Sequence, residues 1–422
     1  MFIRRTENNW LAKWWLGVDK IILFSVLALI IFGIVIQISA SPYQARRMGL
    51  SDEYHFVKNI FVYIWIGIGA MITISTIKVQ TIRKYALFTF PFICFLLFVT
   101  LFFAKTKGAS RWINLGFMKI QPSEFLKPFF AIVIAMILVR IKELGNALKE
   151  NTNQKKRNGV FVFILRIMIC ISKFFGAFIS LFKRKSKQNG ELTEVQKLKK
   201  RRKNYIFLLA GITLVICGIL LKQPDVGMTV TFGVIFLSEI IAAGLPWCIV
   251  VIGIALALCG IPLIYFFLPH FAHRVNQFLS DDNYQLQKAL EAIKESNLLF
   301  GGHSNNLKTV VPDIHTDFIF AAVIEETGPI LAILLILMFL TLILHILYKL
   351  KTKDNLFVVF AGIGITSYIT FQILYNLIST LGIGPTKGMT LPFISYGGSS
   401  FISSCIAIGI ILSLLQDQNL RR

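Results

Sequence analysis

Acidic side chains are scarce in this sequence. Its 422 residues include 21 Asp and Glu against 44 Lys and Arg, which gives a net charge of +23. A positive surplus of this size first suggests nucleic-acid binding, but most of the Lys and Arg residues flank long apolar segments. Basic residues in that position set the orientation of membrane proteins. The charge distribution therefore argues against a nucleic-acid partner.

Cysteine is also scarce, and its spacing forms no ligand or redox motif. All six cysteines lie inside apolar stretches, where a thiol behaves as a small hydrophobic side chain: Cys94, Cys170, Cys217, Cys248, Cys259 and Cys405. Their placement argues against a disulfide framework or a metal cluster. We find no internal repeat of the kind that is typical of many transporters.

Apolar residues dominate what is present: the mean hydropathy is +0.70 and 38 residues are Phe. About ten apolar segments are long enough to cross a bilayer. The sequence therefore predicts an all-α polytopic membrane protein with about ten transmembrane helices. Because residues 1–20 lack a small-residue cleavage pattern, we expect the first helix to be retained and not cleaved as a signal peptide. The predicted spans are 21–40, 56–76, 85–104, 125–141, 205–221, 228–244, 247–268, 318–348, 356–378 and 399–415.

The distribution of basic residues predicts that both termini are cytoplasmic. With that orientation, 30 of the 44 Lys and Arg residues lie on the cytoplasmic side, as the positive-inside rule requires. The chain then divides into transmembrane helices 1–4 (1–141), a basic cytoplasmic insertion (142–204) and helices 5–10 (205–422). A large extracytoplasmic loop, 269–317, separates the seventh and eighth helices.

The insertion contains one further apolar stretch, residues 159–182. Arg166, Lys173 and Ser180 recur every seven residues in this stretch. At 100° per residue they form one polar stripe on an apolar helix, which predicts an amphipathic helix lying in the membrane interface rather than a span.

Four segments that this topology places outside the membrane carry polar residues that membrane crossing does not require. An anionic, lipid-linked substrate would need cations for its phosphates and an apolar groove for its chain, and a carboxylate can act as general base toward a sugar hydroxyl. Arg111 and Lys119 supply cations, although both are also typical interfacial anchors beside Trp112. The four segments are 105–124, 223–227, 269–317 and 382–400.

Other residues of these segments also have purely structural interpretations. Asp317 precedes an apolar helix, where an Asp is commonly the N-cap that accepts hydrogen bonds from free amides. Pro224 and Asp225 fit a simple turn between two spans. Gly397 and Gly398 fit close packing of membrane helices. On residue type alone, capping is the better supported role for Asp317.

Taken together, the four segments resemble a known family. They contain, in this order, GASRWINLG…IQPSE, QPDVG, HTDFIFA…EE and PTKGMTLPFISYGGSS. This set is similar to the SEDS proteins (shape, elongation, division and sporulation), which are polytopic peptidoglycan glycosyltransferases of the bacterial cytoplasmic membrane. The likeness covers nearly the whole chain except 142–204. Lys387 in PTKG and Ser110 in GASRW resemble division-type more than elongation-type members.

The resemblance implies a reaction and a set of site residues. The reaction is an inverting polymerisation of lipid II on the outer face, with release of undecaprenyl diphosphate. The family's essential carboxylate falls on Asp317, as the general base or as the residue that orients the acceptor and a divalent cation (Mg²⁺ or Mn²⁺). Candidate substrate-binding cations are Arg111, Lys119, Lys127, Arg274 and Lys387, and candidate network residues are Glu124, Asp225 and Glu325.

The resemblance also implies partners and a location. The partners are a class B penicillin-binding transpeptidase, other division proteins and membrane lipids, and the location is the division septum. The sequence departs from the family pattern at Ser280–Gln285 and Glu295–Leu298, where the usual glycines are missing. Two other functions stay open at this point: a transporter that flips lipid II, and a division scaffold with a decayed site.

Overall fold

The computed structural model of the protein is a bundle of long helices. It describes residues 10–103, 111–114, 116, 119–151, 193–244, 251, 255, 260, 262, 265–267, 269–280, 284–295, 314–385 and 388–416. Within these ranges, the regular elements are helices apart from one short hairpin. The predicted all-α class is therefore confirmed.

The bounds of the elements follow in chain order. The helices are α1 (Trp10–Gly17), α2 (Lys20–Arg47), α3 (His55–Ser75), α4 (Val79–Val99), α5 (Pro122–Asn151), α6 (Glu194–Lys222), α7 (Val226–Ala242), α8 (Pro269–Leu279), α9 (Tyr284–Glu295), α10 (Ile319–Lys351), α11 (Leu356–Thr380) and α12 (Gly398–Leu415). A 3₁₀ turn, Thr100–Phe102, extends α4. The antiparallel strands β1 (Ile113–Asn114) and β2 (Lys119–Ile120) pair Ile113 with Ile120 and Asn114 with Lys119.

Most of the predicted spans coincide with described helices. Seven of these helices are long and apolar enough to cross a membrane, namely α2, α3, α4 with its 3₁₀ turn, α6, α10, α11 and α12. Helix α7 is apolar but shorter, and α5 contains the fourth predicted span. The polytopic prediction is confirmed. The seventh predicted span (247–268) lies largely outside the described residues and the interfacial helix (159–182) entirely outside them, so the count of ten stays a prediction.

The helices that border the basic insertion are longer than the spans predicted for them. Helix α5 continues to Asn151, and α6 begins at Glu194, well before residue 205. The Gln196 side chain accepts a hydrogen bond from the Thr193 N–H at 3.1 Å, which is one half of a capping box. Lys197 pairs with Glu194 at 2.9 Å one turn along the helix. These local contacts extend a charged helix beyond the apolar segment.

The last helix, α12, forms the centre of the bundle. Every residue from Ser399 to Leu415 is buried except the half-buried Ile406, as expected for a helix that is apolar on all sides. Small residues let it approach α3 closely. A β-carbon at Gly67 would lie 2.8 Å from the Phe401 ring, and one at Gly409 would lie 2.7 Å from the Met71 carbonyl oxygen.

We expect Gly409→Ala to lower the stability of the bundle by about 1–3 kcal/mol, because the added methyl group would meet backbone atoms that cannot move aside. Thermal unfolding in detergent measures the change. Gly218→Ala is the matched control, since Gly218 is also helical and nothing lies within 4 Å of an added β-carbon. There, alanine should be neutral or stabilising by up to about 1 kcal/mol. Equal melting temperatures for the two variants would contradict the packing described for α12.

Helix α10 is kinked near its start. Gly328 has φ 81° and ψ 164° inside the helix, a conformation that glycine tolerates, and Pro329 follows it without an N–H to donate. The short part before the kink is buried from Phe318 to Glu325. The kink therefore separates a buried first segment from the long span that follows.

The opposite end of α10 is tied to the start of α2. Nε2 of His345 lies 3.0 Å from both carboxylate oxygens of Asp19, and Nζ of Lys349 lies 3.3 Å from one of them. Asp19 is also the N-cap of α2 and accepts from the Ile22 N–H. Burial alone would raise the pKa of the Asp19 carboxyl, but the His345 and Ile22 hydrogen bonds and the Lys349 charge hold its pKa below the ordinary value.

Candidate functional site

Asp317 lies at the end of the bundle where α10 begins and α11 ends, which we call the site end. It belongs to a turn, His315 to Phe318, that leads directly into α10, and it is half-buried. Phe318 is the N-cap residue of α10 and Asp317 stands one position before it. Phe318, and not Asp317, therefore occupies the N-cap position.

The Asp317 carboxyl packs against Gly388, in the segment that links α11 to α12. A β-carbon at Gly388 would lie 2.6 Å from Oδ2 of Asp317. Asn376 of α11 joins the same two parts of the chain, because its Nδ2 donates to the Asp317 carbonyl at 3.0 Å and to the Met389 carbonyl at 2.7 Å. Lys387, predicted to bind substrate, lies outside the described residues but precedes Gly388 in sequence.

Arg111 is bound to the turn between α6 and α7. Its Nε donates to the Gln223 carbonyl at 3.1 Å, and its Nη2 donates to the Pro224 carbonyl. Nε also lies 3.4 Å from Oδ2 of Asp225, whose Oδ1 accepts from the Met228 N–H at 3.2 Å as the N-cap of α7. The Arg111 side chain keeps 21% of its surface exposed. A fixed, partly exposed guanidinium is suited to an anionic group.

Lys119 is the exposed residue of strand β2, which is fixed to the start of α12. The Ser399 hydroxyl donates to the Lys119 carbonyl at 3.1 Å and accepts from the Gln121 N–H at 3.1 Å. Four residues earlier, the Ser395 hydroxyl donates to the Thr316 carbonyl at 2.7 Å. The same short stretch of chain therefore contacts both the β2 strand and the turn that contains Asp317.

Lys127 and Glu124 form a buried ion pair one turn apart on α5. Nζ of Lys127 lies 2.6 Å from Oε2 of Glu124, and the two side chains are 1% and 6% exposed. The Lys127 ammonium also lies 5.1 Å from the ring centre of Tyr368 on α11. The Glu124 carbonyl accepts from the Ser403 hydroxyl at 2.7 Å. A substrate phosphate would reach Lys127 only by opening this cluster.

The two remaining predicted residues lie on separate helices. Glu325 is buried on the first segment of α10, two turns from Asp317. Arg274 lies on α8, and its side chain is outside the described part of the structure. The roles of all nine predicted site residues stay predictions. Asp317, Arg111, Lys119, Asp225 and the Glu124–Lys127 pair all lie at the site end.

Sequence reasoning missed an aromatic cluster beside Asp317. The His315 ring contacts Phe56 and Tyr396, with ring centres 4.9 and 5.3 Å away, and those two rings also contact each other at 5.2 Å. Tyr63 lies 6.1 Å from Tyr396. Burial, and then the neighbouring Tyr63, raise the pKa of the Tyr396 phenol above its ordinary value, so the phenol stays neutral. The motif FISYGG contains Tyr396, but no local pattern connects it with Phe56.

Two buried side-chain amides were also not predicted from the sequence. Gln37 on α2 and Asn376 on α11 are both fully buried, and both bind backbone carbonyls of the site. The available signal was their residue type, because polar side chains inside transmembrane segments are costly and commonly functional.

Comparison with known proteins identifies the family. The family model described as cell cycle protein, FTSW_RODA_SPOVE, matches residues 19–183 and 180–420. The chain belongs to this SEDS family. The resemblance drawn from the four motifs is therefore confirmed, and the site end described above is that of a SEDS protein.

Curated SEDS proteins resemble the chain over nearly its full length. A probable peptidoglycan glycosyltransferase FtsW from Caulobacter vibrioides is 29% identical over 421 residues, which covers 98% of this chain and 93% of the relative. A protein of the same name from Geobacter sulfurreducens is 30% identical over 411 residues, which covers 94% of each chain.

Solved structures show the same fold. A chain from a study of structural coordination of polymerization and crosslinking by a peptidoglycan synthase complex superposes with a TM-score of 0.68 at 22% identity, covering 95% of this chain and 98% of that one. The rod shape determining protein RodA of Thermus thermophilus gives a TM-score of 0.59 at 21% identity, covering 95% of this chain and 97% of that one.

Proposed function

We propose that this SEDS protein is a peptidoglycan glycosyltransferase that polymerises lipid II into glycan strands during cell division. The observation that carries the proposal is the placement of Asp317, whose carboxyl is held against Gly388 where the family motifs meet. The curated relatives bear the division-type name FtsW, which favours division over elongation. The protein is an integral inner-membrane protein, and we propose the septum as its location.

In the proposed reaction, Asp317 acts as general base on the acceptor. The 4-hydroxyl of one disaccharide unit attacks C1 of the terminal sugar on the growing strand, while its proton passes to the Asp317 carboxylate. The bond from C1 to the diphosphate oxygen breaks, the configuration at C1 inverts, and undecaprenyl diphosphate leaves. Its growing negative charge requires fixed cations. Of the predicted substrate-binding cations, Arg111 and Lys119 are described with exposed surface at the site end.

A divalent cation fits this site only as a partner of the substrate. In the described ranges, no three His, Cys, Asp or Glu side chains are grouped as a metal site. Mg²⁺ commonly binds through one or two carboxylates together with substrate phosphates and water. Asp317 would supply the carboxylate, and the bound cation would neutralise charge on the diphosphate.

We also propose a class B penicillin-binding transpeptidase as partner, together with other division proteins and the surrounding lipids. A solved chain that superposes on this one with a TM-score of 0.68 comes from a study of a peptidoglycan synthase complex. A glycosyltransferase supplies strands, and a separate acyl-transfer enzyme is needed to crosslink them.

A second candidate function is the flipping of lipid II across the membrane. The observation in its favour is a set of buried polar atoms along α11 and on α7. Tyr368, Gln372, Asn376 and Thr380 recur every four residues, and each has a buried oxygen without a partner among the described residues. Both carboxylate oxygens of Glu239 on α7 are also buried without a partner among the described residues. Polar residues at this depth are typical of transport pathways.

Reconstitution separates the two functions. The full chain, purified with its cognate transpeptidase and given labelled lipid II in liposomes, should yield glycan strands on gels. Fluorescent lipid II, scored by its accessibility to a membrane-impermeant quencher, reports flipping in the same vesicles. Strands without flipping support the proposal, whereas flipping without strands would replace it with the transporter.

We expect Gly388→Ala to slow polymerisation by about tenfold or more, because the added methyl group would displace the Asp317 carboxyl and misplaced groups are costly in catalysis. Gly384→Ala is the control in the same segment, since its β-carbon would also make one close contact, with Cγ2 of Ile378 at 2.9 Å, but none with Asp317. Strand synthesis from lipid II measures both. If Gly388→Ala polymerises as fast as Gly384→Ala, the placement of the carboxyl is wrong.

A further inference from the structure

The backbone of the turn that contains Asp317 is held at every carbonyl. We call His315, Thr316 and Asp317 the 315–317 turn, and residues 388–397 the linking segment. Each of the three consecutive carbonyls accepts a hydrogen bond from a buried side chain, and each of these side chains also binds the linking segment. The donors come from three different parts of the chain: Gln37, Asn376 and Ser395.

Gln37 binds the first carbonyl. Its Nε2 donates to the His315 carbonyl at 2.8 Å and to the Ile394 carbonyl at 2.9 Å. Its Oε1 accepts from the Ser41 hydroxyl at 2.9 Å, one turn along α2. The side chain is fully buried, so the amide is held in one orientation by three bonds.

Ser395 and Asn376 bind the next two carbonyls in the same way. The Ser395 hydroxyl donates to the Thr316 carbonyl at 2.7 Å and accepts from the Leu391 N–H at 2.8 Å. Nδ2 of Asn376 joins the carbonyls of Asp317 and Met389, as described above. The His315 carbonyl also accepts from the Tyr396 N–H of the linking segment at 2.9 Å. Loss of any one side-chain donor would remove a hydrogen bond that connects the turn to the linking segment. The three donors therefore fix the turn against the linking segment.

This arrangement determines where the Asp317 carboxyl lies. The side chain of Asp has two rotatable bonds, so the position of its backbone sets the reach of its oxygens. Gly388, against which the carboxyl packs, belongs to the linking segment. A shift of the turn relative to that segment would move the base relative to the bound sugar, and a misplacement of about 1 Å can cost a hundredfold in rate.

Under the proposed function, in which Asp317 is the base, we propose that Gln37, Ser395 and Asn376 are positioning residues. They act through the backbone of the 315–317 turn and set the geometry of proton transfer from the acceptor. Loss of one donor lowers kcat for strand synthesis and leaves KM for lipid II unchanged, because the bonds are made to the turn and not to the substrate.

The test compares Ser395→Ala with Ser395→Thr and with Ser413→Ala. Ser413 is a matched serine at the opposite end of the bundle, buried to 1% exposure, and its hydroxyl donates to the Ile77 carbonyl at 2.5 Å. Both alanine variants lose a buried bond from a serine hydroxyl to a backbone carbonyl. Ser395→Ala also loses the bond from the Leu391 N–H, so kcat is compared per folded protein, at a temperature well below both melting temperatures. Only Ser395→Ala should lower kcat, by about tenfold, and Ser395→Thr, which keeps a hydroxyl, should restore most of it. Asn376→Ala should behave as Ser395→Ala.

Two results would overturn the proposal. One is an equal kcat, per folded protein, for Ser395→Ala and Ser413→Ala. The other is a rise in KM without a fall in kcat. Asp317→Asn, measured in parallel, distinguishes a failure of the positioning role from a failure of the assignment of Asp317 as the base. If Asp317→Asn is inactive while the Ser395 and Asn376 variants turn over normally, the positioning role fails alone. If Asp317→Asn turns over normally, the base assignment fails as well.

Discussion

Replacing Asp317 by asparagine is expected to slow strand synthesis by about 10²–10⁴-fold, the usual contribution of a positioned general base. Asparagine has nearly the same size and keeps the backbone carbonyl that Asn376 binds, but its amide cannot take the acceptor proton. The rate of polymerisation of labelled lipid II measures the loss. Stability should change little, because Phe318 and not Asp317 occupies the N-cap position of α10.

Asp19→Asn is the control for this prediction. Asp19 is also an Asp next to a helix start, but it lies at the opposite end of the bundle and binds His345 and Lys349. Its replacement should lower the melting temperature and leave the turnover of the folded protein near the wild-type value. Normal polymerisation by Asp317→Asn, or equal losses of turnover in the two variants, would contradict the assignment of the base.

Replacing Lys127 by methionine is expected to destabilise the protein by about 3–5 kcal/mol, the usual cost of breaking a buried ion pair from one side. The change leaves the Glu124 carboxylate 6% exposed with its cation removed. Thermal or denaturant unfolding in detergent measures the loss. Adding Glu124→Gln removes the stranded charge, so the double variant should recover much of the stability.

Arg140→Met provides the exposed counterpart. Arg140 pairs with Glu143 at 2.8 Å with the same three-residue spacing on α5, but the side chains are 59% and 52% exposed. An exposed pair contributes about 0–1 kcal/mol, so this variant should be nearly as stable as the wild type. A Lys127→Met protein as stable as Arg140→Met would show that the buried pair does not hold α5.

Much of the fold can be predicted from the sequence because a membrane-spanning helix requires a long, continuous apolar segment. Apolar runs of bilayer length predicted the spans that the described helices confirm. The ends of those helices were harder to predict. Local capping and ion pairs, such as Glu194 with Lys197, extend the N-terminal end of α6 about ten residues beyond its apolar part. Hydropathy contains no information about such contacts.

The site was predictable in its motifs but not in its internal contacts. Asp317 could be assigned from the HTDF motif, whereas the bonds that hold its turn come from distant residues. Asn376 binds the Asp317 carbonyl from 59 positions away in sequence, and Gln37 binds the His315 carbonyl from 278 positions away. Lys127 was placed among the phosphate-binding cations, and the structure pairs it with Glu124 at 2.6 Å. The three-residue spacing of these two was a visible signal for a pair. Their burial was not, because it depends on how α11 and α12 pack over α5.

The three donors to the 315–317 turn are translated at very different times. Gln37 lies in α2, whereas Asn376 and Ser395 follow the turn by about sixty and eighty residues. A ribosome that has just released α10 into the membrane has synthesised Asp317 but, of the three side-chain donors, only Gln37. A chain arrested before residue 376 can therefore carry most of its spans and still lack a formed site. Under the proposed function, nascent and truncated copies are inserted but inactive, and glycan synthesis begins only when translation has passed the linking segment.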